Sequence, residues 1–369
     1  MKTLKIGLLT GGGDCAGLNP AVKWVVKTAL DSRLEKERGA RYEVVGIRDG
    51  WEGLILPLDQ NYEDTNCIIP LDEEQVRTWD RHGGTNLGSS RTNPYDKKNN
   101  RVQLVMDNVE RLGLDAVVAI GGDDTLGVAG QLSRDGVKTV GIPKTIDKDL
   151  AGTDYTLGYE TALNVITEEI DRLRTFAGSH KRTFVVETMG RHAGWLALEG
   201  GEAAGAYIIL IPEYDFSIDR VNELLMEGAG GGNRYNIVVV SEGAKPAGGD
   251  LVTRAEEKDA FGHVFLGGIG DYLAKEIERG TGLGTRSLAL SYLQRGGAPC
   301  AYDRRMGRYF GIAAVDLLVK GDYGKMVSYS LGKIRAVPLE DVVGKTTLVD
   351  INTQYDTERY NGRRTILRD

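Results

Sequence analysis

Residues 116–124 read AVVAIGGDD, and residues 140–149 read VGIPKTIDKD. In each stretch a short apolar run, typical of a buried strand in a parallel sheet, gives way to glycine or proline and then to aspartates. Carboxylates crowded beyond strand ends repel one another unless a divalent cation, a basic side chain or a proton in transfer compensates them. The two stretches therefore predict a site that handles a metal ion, a phosphate and a proton. The structural alternative is that Asp123 caps the next helix and Asp147 closes a turn.

The rest of the chain alternates between strand-like and helix-like segments, as α/β proteins do. Predicted strands cover 4–10, 42–47, 116–120, 140–142, 183–188, 207–211, 235–240 and 287–293. Predicted helices cover 20–39, with Asn19 as the cap, and 101–112, 125–134 and 159–175. Because 369 residues suffice for two cores, we expect an α/β protein of two Rossmann-like lobes with mainly parallel sheets and a cleft between them.

Composition excludes several classes of protein. The formal charge is −7 and no basic stretch is interleaved with aromatic residues, so neither a nucleic acid nor a membrane surface is an expected partner. The three cysteines, Cys15, Cys67 and Cys300, show no paired spacing, which argues against a disulfide framework and a zinc site. Since no apolar run has the length of a signal core or a membrane span, we expect a cytoplasmic protein.

Two glycine-rich segments predict contacts to phosphate. Gly11-Gly12-Gly13-Asp14 lies between a predicted strand and helix, where backbone amides can wrap a phosphate, although a tight packing turn would look the same. The segment matches neither the Walker pattern nor the dinucleotide-binding spacing. The second segment, GGTNLGSSR at 83–91, ends in Arg91, whose guanidinium suits a phosphoryl group in transfer.

Three further segments place charged side chains just after predicted strands. Arg191 and Arg295 adjoin glycines in MGR (189–191) and QRGG (294–297), a placement that aims a guanidinium into the cleft. Glu242, in VSEG (240–243), offers a carboxylate that can accept hydroxyl groups.

Six segments, read in order along the chain, resemble the motifs of the 6-phosphofructokinase family. They are TGGGD (10–14), GGT (83–85), GGD (121–123), PKTID (143–147), MGR (189–191) and LQRGG (293–297). The resemblance spans roughly 5–318; GGD by itself is also similar to the signature of NAD kinases and diacylglycerol kinases. The resemblance implies a glycolytic enzyme that transfers a phosphoryl group to the 1-hydroxyl of fructose 6-phosphate.

The resemblance also implies a division of the chain. A phosphoryl-donor lobe would comprise 1–157 plus about 296–345, and a sugar-phosphate lobe 158–295, with 346–369 forming a C-terminal arm or tail. Members of this family share sites across subunits, so we expect a homodimer or homotetramer.

Roles for individual residues follow from the same resemblance. Asp147 would be the general base for the sugar hydroxyl, with Asp149 tuning the site or helping to organise the metal. Thr145 would orient the transferred group, and Asp123 would be the carboxylate linked to Mg²⁺. Arg91, together with the Gly13 loop, would steady the negative charge of the donor.

The remaining roles concern the sugar phosphate. Met189, Gly190 and Arg191 would hold the ring, Glu242 would accept sugar hydroxyls, and Tyr292 and Arg295 would reach the 6-phosphate. Arg182 and Arg286 resemble two arginines that arrive from a neighbouring subunit in this family.

Two positions bear on the phosphoryl donor. Where ATP-using relatives carry glycine, this chain has Asp124 and Lys144. A carboxylate at 124 adds bulk and charge against a nucleotide tail, whereas a lysine at 144 can bind the outer phosphate of pyrophosphate and partly neutralise Asp124. The pair resembles the pyrophosphate-dependent branch of the family, whose reaction would run near equilibrium in either direction.

Several alternatives remain open at this level. The chain could use ATP, could prefer sedoheptulose 7-phosphate, or could be a noncatalytic regulatory subunit that binds sugar phosphates. Retention of Asp147, Thr145 and Asp123 argues against the regulatory subunit, and the 189–191 and 295 segments argue against an enzyme similar to NAD kinase. Lys148 stands where the family usually has asparagine, and the sequence assigns it no role.

Overall fold

A computed structural model describes residues 2–33, 35, 39–56, 67–251, 253–258, 261 and 264–367. Its strands are β1 (Lys2–Thr10), β2 (Ala40–Ile47), β3 (Ile68–Leu71), β4 (Ala116–Gly121), β5 (Thr139–Pro143), β6 (Thr183–Thr188), β7 (Ile208–Leu210), β8 (Asn236–Ser241), β9 (Thr253–Lys258), β10 (Val264–Leu266), β11 (Thr285–Ala289), β12 (Lys325–Ser330), β13 (Lys333–Pro338), β14 (Tyr355–Asp356) and β15 (Asn361–Gly362). Its helices are α1 (Leu18–Ala29), α2 (Glu52–Ile55), α3 (Glu73–Val76), α4 (Val102–Arg111), α5 (Asp123–Arg134), α6 (Tyr159–His180), α7 (Trp195–Ala203), α8 (Ile218–Gly230), α9 (Ile269–Thr281), α10 (Ala301–Lys320) and α11 (Leu339–Val342).

The first lobe is organised around a seven-stranded sheet in the order β13-β12-β5-β4-β1-β2-β3. The five inner strands run parallel, and β3 and β13 close the edges as antiparallel strands. β4 and β5 are buried along their whole length, which explains their continuous apolar sequences. The strand order reverses between β1 and β4, so the loops after these two strands open side by side, where sheets of this kind bind ligands.

The second lobe contains a smaller sheet in the order β11-β6-β8-β7, and all its strands are parallel. Its central strands β6 and β8 are fully buried, again because helices cover both faces. Two mainly parallel sheets confirm the predicted fold class. In the described part of the chain no helix is both long and apolar enough to cross a membrane.

Two helices that meet at their N-termini tie the lobes together. Asp303, in the first turn of α10, is fully buried and accepts hydrogen bonds from the Tyr155 hydroxyl (2.7 Å) and the backbone amides of Gly158 (2.6 Å) and Thr161 (3.0 Å) at the start of α6. The carboxylate thus satisfies amides that a helix start leaves without partners. The Asp303 carboxylate therefore holds the starts of α6 and α10 together where the chain passes from the first lobe into the second.

The chain end packs against the second lobe. The Tyr355 hydroxyl donates to the carbonyl of Ile209 (2.6 Å), and the Ile209 amide donates to the carbonyl of Tyr360 (2.7 Å). Both tyrosines are buried. The chain near Tyr355 and Tyr360 is therefore hydrogen-bonded to β7 of the second sheet.

Three element ends differ from the sequence-based prediction by four residues or more, and one of them is the end of α6, which runs to His180 instead of 175. α1 ends at Ala29, ten residues before the predicted end; the chain leaves the helix at residues 30 and 31, and Asp31 accepts the Arg33 amide (3.0 Å) where residues 32 and 33 become helical again. β11 ends at Ala289 instead of running to 293, because Ser291 adopts a positive φ of 44° and starts a 3₁₀ turn at Ser291–Arg295.

Asn19 was expected to cap α1, but it lies inside the helix and is fully buried. Its amide group donates to the carbonyls of His82 (3.1 Å) and Gly83 (3.3 Å), and its oxygen accepts the Asn86 amide (2.9 Å). Asn19 therefore holds the second glycine segment beside the first.

Candidate active site

Loops from both lobes enclose one cleft at the carboxyl ends of β1, β4 and β5. It brings together ten residues that the sequence singled out: Gly13, Arg91, Asp123, Asp124, Lys144, Thr145, Asp147, Asp149, Arg191 and Arg295. Seven further residues line it: Gly12, Gly122, Thr125, Leu150, His192, Lys345 and Thr346. The cleft combines basic side chains, carboxylates and helix N-termini, a set that suits the transfer of an anionic group.

The two glycine segments form one wall. The Gly12 amide donates to the carbonyl of Ser90 (3.0 Å), and the Ser89 hydroxyl donates to the carbonyl of Gly12 (2.5 Å). A side chain at Gly11 would collide with Thr125, since its Cβ would lie 2.6 Å from the Thr125 hydroxyl. Glycine is thus required for close packing, and the arrangement carries Arg91 to the rim beside Gly12 and Gly13.

Asp123 and Asp124 occupy the first turn of α5, next to this wall. Gly122 is the N-cap of α5 and no side chain caps it, so the structure excludes the capping alternative for Asp123. Asp123 Oδ1 instead accepts the backbone amide of Gly344 (2.8 Å), and the side chain is exposed at the cleft. The helix start provides amides and a favourable field for phosphate.

Lys144 forms part of the cleft floor. It is only 2% exposed, and its ammonium donates to the carbonyl of Gly13 (2.5 Å). Burial lowers the pKa of Lys144 from 10.5 to about 8, with Asp14 and Asp147 acting in the opposite direction. The ammonium is therefore held beside the glycine loop, within the space where a donor phosphate would contact the backbone amides.

Asp147 lies at the centre of the cleft and is 5% exposed. Its Oδ2 accepts the Thr145 hydroxyl (3.2 Å), and its own amide donates to the same hydroxyl oxygen (3.1 Å). Its Oδ1 is buried and has no hydrogen-bond partner within the described chain. A buried carboxylate oxygen without a partner is costly, and a substrate hydroxyl would satisfy it.

The charge of Asp147 helps to raise the pKa of two other carboxyl groups. Burial and then Asp147 raise the pKa of Asp149 to about 7, while Arg191 opposes the rise. Burial and then Asp147 also raise the pKa of Glu242 to about 7. Glu242 Oε1 accepts the backbone amide of Arg191 (3.3 Å), which places Glu242 behind the cleft wall that Arg191 forms. Carboxyl groups that titrate near neutral pH are typical of sites that move protons.

The 189–191 segment turns sharply into the cleft. Gly190 has a φ of 139° and Arg191 a φ of 51°, and the Met189 amide donates to the Gln294 side chain (3.2 Å). A side chain at Gly190 would meet the carbonyl of Ala193 at 2.5 Å. The turn directs Arg191 into the cleft, whereas Met189 and Gly190 support it from behind.

Arg295 and Tyr292 separate in the structure, although both were expected at one phosphate. Arg295 donates to the carbonyl of Asp14 (3.2 Å) and packs on Gly13, so it lies beside the first glycine segment, 11–14. Tyr292 is 72% exposed and lines a separate shallow hollow beside Val165. The 3₁₀ turn explains the difference, because it turns Gln294 inward and Tyr292 outward. In this chain Tyr292 does not reach the cleft.

Arg182 and Arg286 lie at the far end of the second sheet. Arg182 directly precedes β6, and Arg286 pairs with Phe184 near the start of the neighbouring strand. Met189 follows the opposite end of β6, so the strand separates the two arginines from the cleft by roughly 20 Å. Neither can reach the cleft of its own chain.

Some cleft residues were not singled out from the sequence, among them Lys345, Thr346 and His192. Lys345 and Thr346 lie where the chain returns to the cleft, held by the Gly344 amide donating to Asp123 and by the Thr347 amide donating to the carbonyl of Asp149 (2.7 Å). No local motif marks this return of the chain. His192 lines the cleft because it follows Arg191 in the same turn.

Comparisons with known proteins agree with this geometry. The family profile described as phosphofructokinase matches residues 5–318. A pyrophosphate--fructose 6-phosphate 1-phosphotransferase of Amycolatopsis methanolica is 46% identical over 97% of this chain and 100% of its own length. An ATP-dependent 6-phosphofructokinase 3 of Streptomyces coelicolor is 43% identical over 92% of this chain and 95% of its own length.

The fold has the same relatives. The structure of phosphofructokinase from Saccharomyces cerevisiae matches 92% of this chain with a TM-score of 0.75 and 30% identity, and this chain spans 45% of that longer chain. The resemblance inferred from the six motifs is confirmed. The chain belongs to the phosphofructokinase family.

Proposed function

We propose that this protein reversibly transfers a phosphoryl group from pyrophosphate to the 1-hydroxyl of fructose 6-phosphate, giving fructose 1,6-bisphosphate and phosphate. The observation that carries the proposal is the buried Oδ1 of Asp147, which lacks a partner at the centre of a cleft built for phosphate. A relative named for the pyrophosphate reaction, at 46% identity over 97% of this chain, supports the same reaction.

The residues supply a complete path for the transfer. Asp147 Oδ1 accepts the proton of the sugar 1-hydroxyl as that oxygen attacks the terminal phosphorus of pyrophosphate, and the bond to the leaving phosphate breaks. Thr145 holds the other oxygen of the same carboxylate, so that Oδ1 faces the hydroxyl. Arg91, Lys144 and the amides of the glycine loop neutralise charge on the donor.

Discrimination between donors rests on Asp124 and Lys144. Asp124 lines the cleft one residue beyond Asp123, where a longer donor would bring further phosphate against a carboxylate. Lys144 contributes its ammonium close to the glycine loop, which suits the compact charge of pyrophosphate. An ATP-using relative at 43% identity makes ATP the alternative donor to test.

The residues present fit Mg²⁺ bound together with substrate. No group of three or more histidine, cysteine or acidic side chains within the described residues could hold a metal alone. Mg²⁺ commonly uses one or two carboxylates plus substrate phosphates, and the exposed Asp123 at the donor side matches that pattern. When bound there, the ion would neutralise phosphate charge and help to align the donor.

The position of Arg182 and Arg286 supports a homo-oligomer, either a dimer or a tetramer, in which each subunit lends these arginines to its neighbour's sugar phosphate. Light scattering gives the subunit number. We also propose a cytoplasmic location, since Cys15, Cys67 and Cys300 are all free thiols, as a reducing compartment favours.

An aldolase-coupled assay tests the function. Purified protein receives fructose 6-phosphate or sedoheptulose 7-phosphate with Mg²⁺ and with pyrophosphate, ATP or ADP as donor. We expect turnover of fructose 6-phosphate with pyrophosphate. Activity with ATP alone would overturn the choice of donor, and no turnover with any pair would favour a regulatory subunit.

A double substitution tests the basis of donor choice. Asp124→Gly combined with Lys144→Gly removes both the obstructing carboxylate and the lysine, so ATP use should rise and pyrophosphate use should fall. Unchanged kinetics with both donors would place selectivity elsewhere in the cleft.

A further inference from the structure

Lys148 lies between the two cleft aspartates, yet its side chain leaves the cleft. Its neighbours Asp147 and Asp149 line the cavity, whereas Lys148 is not among the described residues that do so. Lys148 adopts a positive φ of 55°, a conformation that side chains other than glycine rarely take. This conformation points its side chain away from theirs, which argues that the surroundings hold it there.

The ammonium of Lys148 enters a polar and aromatic cage. Its Nζ lies 2.6 Å from Glu199 Oε1, 4.7 Å from the centre of the Trp195 ring and 4.9 Å from the centre of the Tyr159 ring. The side chains of both Lys148 and Glu199 are mostly shielded from solvent. Ion pairs and cation–π contacts gain strength when water is partly excluded.

The cage belongs to the other lobe. Trp195 and Glu199 lie on α7 and Tyr159 on α6, whereas Lys148 belongs to the loop that follows β5. The catalytic loop, defined here as 145–149, is thereby attached to the second lobe outside the cleft. Through Lys148, the position of Asp147 depends on the helices of the second lobe.

Two hydrogen bonds through Thr347 also link Trp195 to the catalytic loop. Trp195 Nε1 donates to the carbonyl of Thr347 (3.0 Å), and the Thr347 amide donates to the carbonyl of Asp149 (2.7 Å). Asp149 is therefore fixed through its backbone by the same tryptophan that faces Lys148. Lys148 and Asp149, which are adjacent in the catalytic loop, are thus both held by Trp195.

We propose that Lys148 is a positioning residue for the general base: its ammonium, held by Glu199, Trp195 and Tyr159, fixes the catalytic loop so that Asp147 Oδ1 stays aligned with the sugar hydroxyl. The inference rests on the proposed function, because it requires Asp147 to act as the base. Small displacements of a reacting group cost large factors in rate, since alignment must hold within a fraction of an ångström.

Three variants test the proposal in the native oligomer. Lys148→Met keeps the length of the side chain and removes its charge, and kcat should fall about 10- to 100-fold with KM for fructose 6-phosphate nearly unchanged. Lys148→Arg preserves both the ion pair and the ring contacts, so it should restore most of the loss. Glu199→Gln removes the ion pair from the partner side and should lower kcat in the same direction.

A matched control separates positioning from packing. Lys138 lies over the Tyr323 ring (5.5 Å) at an exposed position outside the cleft, so Lys138→Met removes a similar contact and should leave kcat unchanged. Thermal unfolding of each variant reports on folding, and Glu199→Gln decides the matter if Lys148→Met does not fold. A native kcat in Lys148→Met, or an equal loss in Lys148→Arg, would overturn the proposal.

The outcomes also distinguish this inference from the proposed function. If the unmodified protein turns over fructose 6-phosphate and Lys148→Met does so equally fast, only the positioning role fails. If the unmodified protein uses none of the donors, the function itself fails.

Discussion

The proposed chemistry depends on Asp147, because one of its carboxylate oxygens is held by Thr145 and the other is buried without a partner in the described chain. Asp147→Asn preserves the shape and the contact to Thr145 but cannot accept the hydroxyl proton. We expect kcat to fall by roughly 10² to 10⁴, with modest change in substrate KM. Steady-state kinetics in both directions measure this, and a loss below about tenfold would reject Asp147 as the base.

The same substitution has a second readout. Because Asp147 contributes to the raised pKa of Glu242, its removal should lower that pKa from about 7. The dependence of fructose 6-phosphate binding on pH, followed by calorimetry, should then move to lower pH. Glu242→Gln serves as the control, since it has no titration to move.

Lys144 combines a buried position with a charge that, in the proposed function, neutralises the donor. Lowering its pKa from 10.5 to about 8 opposes folding by about 3 kcal/mol at neutral pH. Because the unfolded chain binds this proton up to higher pH, the cost is complete below pH 8 and disappears as pH rises from about 8 to 10.5. Lys144→Met should therefore raise the free energy of unfolding at pH 7 and lose pyrophosphate turnover.

Urea unfolding at pH 7 and at pH 10 checks the predicted direction of the change in the free energy of unfolding caused by Lys144→Met. The gain in the Lys144→Met variant should be smaller at pH 10, where the native lysine is neutral in the folded state. A variant with native stability at both values, or with native use of pyrophosphate, would contradict the account.

The C-terminal arm is the element that the sequence described least well. Tyr355→Phe removes the hydroxyl that donates to the carbonyl of Ile209, so a buried acceptor loses a partner and unfolding should need about 1–3 kcal/mol less. Urea unfolding measures the change, and Tyr309→Phe, at an exposed position, is the matched control. Equal stabilities of the two variants would show that the arm is not docked in solution.

How far the sequence predicts each element depends on the range of its contacts. β4 and β5 were predicted because burial on both faces makes their residues apolar without interruption, and Asp123 and Asp147 because they follow such strands directly. Asn19 and Lys345 were not, since their partners lie more than sixty residues away or arrive with the returning chain end. The exposure of Tyr292 could not be foreseen, because the local sequence does not indicate the positive φ at Ser291 that ends the strand early.

At the scale of the whole molecule, the proposed oligomer would give a role to the arginines at the far end of the second sheet. Arg286 is exposed, and its contacts are the carbonyl of Thr285 (2.6 Å) and a loose pairing with Glu278 (3.6 Å). Arg286→Ala should therefore barely affect stability, because surface ion pairs contribute little. If the guanidinium serves a neighbouring subunit, the same substitution should strongly raise KM for fructose 6-phosphate.

Mixing an Asp147 variant with an Arg286 variant tests directly whether neighbouring subunits share a site. Each site would combine Asp147 of one subunit with Arg286 of its neighbour, so Asp147→Asn and Arg286→Ala subunits that assemble at random leave about one site in four intact. Coexpression should thus restore about a quarter of the native activity at limiting fructose 6-phosphate, for a dimer and a tetramer alike. The double variant mixed with native protein calibrates the assay. In that mixture a site stays intact only where both contributing subunits are native, so about one site in four should again be active. Activity of the mixture no higher than that of the separate variants would mean that each subunit completes its own site.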